Sequence, residues 1–143
     1  MHSLKSRHIT NSMESLTILV VDDQDSSRKL TRLILLNLGI RNVSEAADGG
    51  AALDMIRTIN PDVLILDWEM PVMNGPEVVR AIRTDGTFPA PDIPIIMLSG
   101  YAERWRVEKA HQLGVKEYLV KPTSTKALQD RLLSVVLRQH SIA

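Results

Sequence analysis

Five short runs of mostly apolar residues, each followed by a stretch with helical spacing, constrain this chain more than any other feature. The runs are Thr17 to Val21, Asn42 to Ala46, Val63 to Leu66, Ile93 to Leu98 and Glu117 to Val120. Their length and aliphatic content read as strands, those richest in Val, Ile and Leu being buried on both faces. The intervening stretches carry helix punctuation. Asp25 is placed as an N-cap ahead of Leu30, Leu33, Ile34 and Leu38, with Gly39 as a left-handed stop. Ala52, Leu53 and Ile56 follow the turn Asp48-Gly49-Gly50, and Asn60-Pro61 ends that helix. Asn74 caps a third helix, with Pro76 in its first turn and Val78, Val79 and Ile82 as its buried face. A long loop spans residues 85–92, a fourth helix spans 102–113 and stops at Gly114, and Thr123 or Ser124 caps a fifth through Leu128, Leu132 and Val135.

Alternation of buried strands with amphipathic helices implies an α/β fold, a five-stranded parallel sheet with helices on both faces. Right-handed crossovers leave few topologies. Ligands of such sheets bind beyond the carboxyl ends of the strands. That is where the polar residues fall: Asp22 and Asp23 after the first strand, Asp67 after the third, Ser99 and Gly100 after the fourth, Lys121 after the fifth. These residues are expected to share one crevice. Asp67 is the centre of it, because a carboxylate at the tip of a central strand is costly unless a cation meets it.

The rest of the chain narrows the function by exclusion. Formal net charge is zero, so no basic field invites nucleic acid. There is no cysteine, which removes disulfides and thiolate metal sites. No apolar run reaches the length of a membrane span, and a cytoplasmic location is expected. The 143 residues suit one domain, placed at 15–139. Residues 1–14 read as a flexible leader with His2 and His8 idle and Met13 as an alternative start, and 140–143 as a tail.

Three carboxylates in one place repel one another, and at neutral pH they either hold each other's protons or recruit a cation, for which hard oxygen ligands suit Mg²⁺ or Mn²⁺. Opposite them stand the Lys121 ammonium, the Ser99 hydroxyl and the open backbone at Gly100. Together these groups cradle a phosphoryl group beside a carboxylate able to attack phosphorus. Taken singly, Asp22-Asp23 is a turn, Ser99 a strand-end cap, Lys121 a solvated lysine and Tyr118 a strand aromatic. Their joint placement at the strand tips carries the reading.

The residues Ile18-Leu19-Val20-Val21-Asp22-Asp23, Asp67-x-x-Met70-Pro71-x-Met73-Asn74-Gly75, Ser99-Gly100, Gly114 and Tyr118-x-x-Lys121-Pro122 resemble the receiver domain of two-component response regulators, in order, over about residues 16–137. The resemblance implies the strand order 2-1-3-4-5 of flavodoxin-like folds. It implies that Asp67 accepts a phosphoryl group from a phosphohistidine on a sensor histidine kinase or histidine phosphotransfer protein. Asp23, Asp67 and the Glu69 backbone carbonyl would hold Mg²⁺, with Asp22 acting through water. Lys121 would pair with the phosphate, and Ser99 and Tyr118 would act as the switch. A cis Lys121-Pro122 bond is also implied. The fourth helix, fifth strand and fifth helix would then present an altered face to a downstream protein target.

Three residues depart from or elaborate the family pattern. Ser99 stands where threonine is also common. Glu69 places a further acid two residues past Asp67, where it perturbs metal binding, pairs with a lysine or arginine, or is idle. Tyr101 is expected to overhang the pocket and prolong the phosphoryl lifetime. Trp105, flanked by Arg104 and Arg106, is either a partner-docking residue or a half-buried ring. With no output domain in the sequence, signalling is expected through protein contact or phosphorelay and not as an enzyme on an external substrate. The competing readings are a degenerate receiver used as an interaction scaffold, an aspartyl-phosphate phosphatase, to which Glu69 fits but Trp68, Met70 and Pro71 do not, and a flavin module, which three carboxylates would repel.

Overall fold

The computed structural model describes residues 13–141, with backbone alone for 139–141. The positions assigned to His2, His8 and most of the leader lie outside the described residues. Met13 is 6% exposed and packs with Leu16 into the core, so folded structure begins ahead of residue 15.

Five strands form one parallel sheet: β1 (Thr17–Val21), β2 (Asn42–Ala46), β3 (Val63–Asp67), β4 (Ile95–Ser99) and β5 (Glu117–Val120). Their order is β2-β1-β3-β4-β5, as expected. The helices are α1 (Asp25–Asn37), α2 (Gly49–Ile59), α3 (Gly75–Thr84), α4 (Arg104–Gln112) and α5 (Thr125–Ser141). Strand alternation divides the core in two. Leu19, Val21, Leu64, Leu66 and Met97 face α2, α3 and α4. Ile18, Val20, Ile65, Ile96 and Leu98 face α1 and α5. β3, paired on both sides and buried along its length, is the axis of the molecule. Each fully buried aliphatic side chain there contributes about 1.5–3 kcal/mol of transfer free energy.

Local chemistry sets the helix ends. Asn74 accepts from the Glu77 amide and Glu77 reaches back to the Asn74 amide, a closed capping box. Asp48 caps α2 through the Ala51 amide, and Ser124 caps α5 through the Ala127 amide. Gly39 adopts the left-handed stop expected of it, with φ +91°.

Several expectations are corrected. Asp25 is the first residue of α1 and not its cap, and it pairs with Arg28; Gln24 holds the cap position without a side-chain bond. Leu30 and Leu33 are 50% and 54% exposed, because α1 turns Thr31, Ile34 and Leu35 to the sheet. β4 begins at Ile95, since the Ile93-Pro94 segment precedes the ladder, and α4 begins at Arg104.

Candidate functional site

At the carboxyl end of the sheet the chain brings together Asp22, Asp23, Asp67 and Lys121. β1 delivers the first two, β3 the third, β5 the fourth. Asp67 is the last residue of β3 and is 4% exposed. Asp22 is also buried, whereas Asp23 faces solvent. Ligating oxygens of the three acids lie within 4.8 Å of one another. Lys121 bridges two of them, with Nζ 2.9 Å from Asp22 Oδ2 and 3.1 Å from Asp67 Oδ1.

The two buried acids are not treated alike. Burial works against the Asp22 charge, but bonds from Ser27, the Gln24 amide and Lys121 hold its carboxyl below the usual range. Asp67 is raised to about 7, chiefly by burial, which outweighs the lowering effect of Lys121; the neighbouring charges of Asp22 and Glu69 add to the rise. Lys121 lies within ion-pair distance of Asp67 Oδ1, yet that oxygen accepts no directed hydrogen bond. The same pair of acids raises the Lys121 ammonium above its ordinary value, against the effect of its burial.

Three hard, closely spaced carboxylates with one oxygen left short suit a divalent cation of the Mg²⁺ class. Gly75 keeps the floor of the site close. A Cβ there would stand 2.7 Å from the Asp67 carbonyl oxygen and 2.9 Å from Trp68 Cα, and the Gly75 amide bonds the Trp68 carbonyl.

Ser99 is fully buried at the end of β4. Its hydroxyl donates to Glu69 Oε1 at 2.5 Å and accepts from the Tyr101 amide at 3.1 Å. Glu69 also receives Arg106 Nη1 at 2.9 Å. Of the three roles left open for Glu69, the arginine pairing is therefore realised. Tyr118 is partly buried and donates to the Tyr101 carbonyl at 2.7 Å, its ring edge-on to Trp68. Tyr101 and Trp105 lie exposed on the rim. Trp105 also packs edge-on against Trp68, with centroids 6.0 Å apart. The Lys121-Pro122 bond is cis.

Sequence reasoning passed over Arg106 as a member of this group. Its guanidinium sits against Trp68, Tyr101 and Trp105 and also pairs with Glu103. The Glu103 to Arg106 spacing of a helical ion pair was the available signal, but nothing local reveals a partner on β3's exit loop.

The family profile described as "Response regulator receiver domain" matches residues 18–133. The chemotaxis protein CheY of Pseudomonas aeruginosa is 36% identical over 121 residues, 85% of this chain and 96% of that protein. Chemotaxis protein CheY-3 of Vibrio cholerae is 34% identical over 119 residues, 83% of this chain and 90% of the relative. Among solved structures, chemotaxis protein CheY4 of Vibrio cholerae superposes with a TM-score of 0.75 at 33% identity, covering 84% of this chain and 98% of its own. A CheY-like response regulator receiver domain protein of Methanospirillum hungatei gives 0.77 at 27% identity, covering 90% and 100%.

Proposed function

The chain belongs to the response regulator receiver family, and from that premise we propose that Asp67 accepts a phosphoryl group from a phosphohistidine of a sensor histidine kinase or histidine phosphotransfer protein. An Asp67 carboxylate oxygen bonds to phosphorus as the phosphorus–nitrogen bond breaks, and the electron pair of that bond leaves with the imidazole. The observation that carries the reading is the buried Asp67 oxygen lacking a hydrogen bond beside two further acids and one lysine.

Asp22, Asp23, Asp67 and the Glu69 backbone carbonyl are the groups that would hold Mg²⁺, with Asp22 acting through water; when bound, the ion neutralises carboxylate and phosphoryl charge. Lys121 stays protonated between Asp22 and Asp67 and supplies the fixed cation. Ser99 supplies a hydroxyl at the adjacent strand tip, and Gly100 leaves room for a backbone amide at an anion. The product carries roughly −1.5 to −2 charges. Shifting the domain from mostly one state to mostly another needs a differential interaction on the order of 5 kcal/mol. We assign the readout to the face made by α4, β5 and α5, with Tyr101 and Trp105 on its rim and a downstream protein as partner. The residues favour no nucleic-acid or membrane partner, and no helix among the described residues is long and apolar enough to cross a membrane. The proposal places the protein in the cytoplasm, where such kinases present their phosphohistidine.

Incubation with Mg²⁺ and acetyl phosphate is expected to add one phosphoryl group to the intact mass. Asp67→Asn abolishes the gain and Lys121→Met reduces it by about 100-fold or more, since it removes the charge clamp on the transferring group. No mass gain in the parent protein would sink the proposal.

A further inference from the structure

Resting on Asp67 as phosphoacceptor, we propose that Glu69 and Arg106 form a latch that withholds the Ser99 hydroxyl, and that this latch must open for Ser99 to reach a phosphoryl group on Asp67. A serine hydroxyl carries one proton. Here that proton is committed to Glu69 Oε1 in a partly buried, charge-assisted bond of 2.5 Å. One lone pair of Ser99 already receives the Tyr101 amide. The hydroxyl therefore has no donor left for a phosphoryl oxygen while Glu69 stays in place.

Glu69 is itself pinned. Arg106 Nη1 meets the same Oε1 at 2.9 Å, and Arg106 Nε meets Glu103 at 3.2 Å. The guanidinium carbon lies 5.0 Å from the Trp68 ring centroid, 4.6 Å from Tyr101 and 4.9 Å from Trp105. Three aromatic faces and two carboxylates hold the cation in one position. Trp105 adds its indole N–H to Glu103 at 3.1 Å.

This arrangement ties the loop leaving β3 to the first turn of α4. A phosphoryl group on Asp67 adds negative charge beside Glu69 and competes for the Ser99 proton. Glu69 and the phosphate cannot both have that proton. Ejecting Glu69 removes Arg106's partner on β3's exit loop and unpacks Trp105 from the cage. The latch is thus a positioning device: it sets the threshold for phosphoryl acceptance and carries its outcome to the exposed rim.

The test uses a Trp68→Phe background, in which Trp105 is the sole indole reporter, with intact mass and emission followed together. Acetyl phosphate is the donor: its phosphorus–oxygen bond to the acetyl group breaks, acetate leaves with the electron pair, and an Asp67 oxygen bonds to phosphorus. Glu69→Ala is expected to accept the group about tenfold faster, the scale of one charged hydrogen bond lost from the resting state. Its Trp105 emission before any donor is added should already match that of the phosphorylated background protein. Glu69→Gln keeps an acceptor for Ser99 but loses the Arg106 ion pair, and should fall between; it serves as the second variant if Glu69→Ala folds poorly. Uptake at one common rate with unchanged resting emission overturns the latch alone. No uptake by the parent protein, with both tryptophans in place, overturns the phosphoacceptor reading and the latch with it.

Discussion

Of the three almost wholly buried carboxylates among the described residues, Glu117 and Asp67 lie at opposite ends of the sheet, and the chain treats them in opposite ways. Glu117, 3% exposed at the start of β5, has both oxygens occupied: Arg131 on Oε2 at 3.1 Å, Arg138 on Oε1 at 2.7 Å and Ser134 on Oε1 at 3.1 Å. All three partners come from α5, so the acid binds the last helix to the sheet. Asp67, 4% exposed at the end of β3, shares one lysine with Asp22 and has an oxygen with no hydrogen bond. Burial is the same; satisfaction is not. A buried acid neutralised by its own fold ties elements together, whereas one left short calls for an explanation that packing does not supply.

The largest expected effect follows from that shortage. Asp67 is raised to about 7 in the folded protein, against an ordinary value near 3.8. A raised carboxyl means that the folded state holds a proton which the unfolded chain has released, so this group's stabilising contribution is present at acid pH and is lost as pH rises toward 7. Asp67→Asn removes the penalty and should stabilise the metal-free protein at pH 8 by up to about 4 kcal/mol, shrinking toward zero near pH 4. Urea unfolding across that range measures it. Mg²⁺ should narrow the gap at pH 8 by stabilising the wild-type protein alone. A gain that does not depend on pH would remove the distinction between the two acids.

The opposite sign is expected at the other end. Glu117→Ala leaves Arg131 and Arg138 without their shared counter-charge. Both are about two-fifths exposed and can turn to solvent, so the loss should be roughly 2 kcal/mol, below the 3–5 of a fully buried pair. Thermal or urea unfolding checks it. A stabilising Glu117→Ala would mean that this acid, too, is held under strain.

The same contrast explains what was legible in the sequence. The strand tips were readable because a short aliphatic run that stops on Asp, Ser or Lys marks both the strand and its polar end. The clustering of Asp22, Asp23, Asp67 and Lys121 then followed from parallel topology alone. The buried face of α1 was not readable, since Leu30, Leu33, Ile34, Leu35, Leu36 and Leu38 allow more than one helical phase, and the sheet chose Ile34 and Leu35. Arg106 was missed because its partner Glu69 lies 37 residues away and is reached only by side-chain length. Glu117 was read as an ordinary strand residue, because its arginines stand 14 and 21 positions later on a helix whose orientation the sequence does not state.

The smallest effect tests whether strain, like unsatisfied charge, gathers at the Asp67 end. The loop leaving β3 folds back at Pro71-Val72-Met73, where the Met73 amide donates to the Pro71 carbonyl at 2.7 Å across a three-residue turn. Val72 at its centre has φ +67° and its side chain is fully exposed. A β-branched residue is badly suited to that region, and a γ-turn of this hand is rare and strained even for others. Full exposure means that removing the side chain forfeits no burial. Val72→Gly should therefore stabilise the protein by about 1 kcal/mol, net of the entropy that glycine adds to the unfolded chain. The increase would appear as a higher urea midpoint at unchanged slope. A neutral or destabilising result would show that this turn is relaxed as it stands, and that charge alone separates the two ends of the sheet.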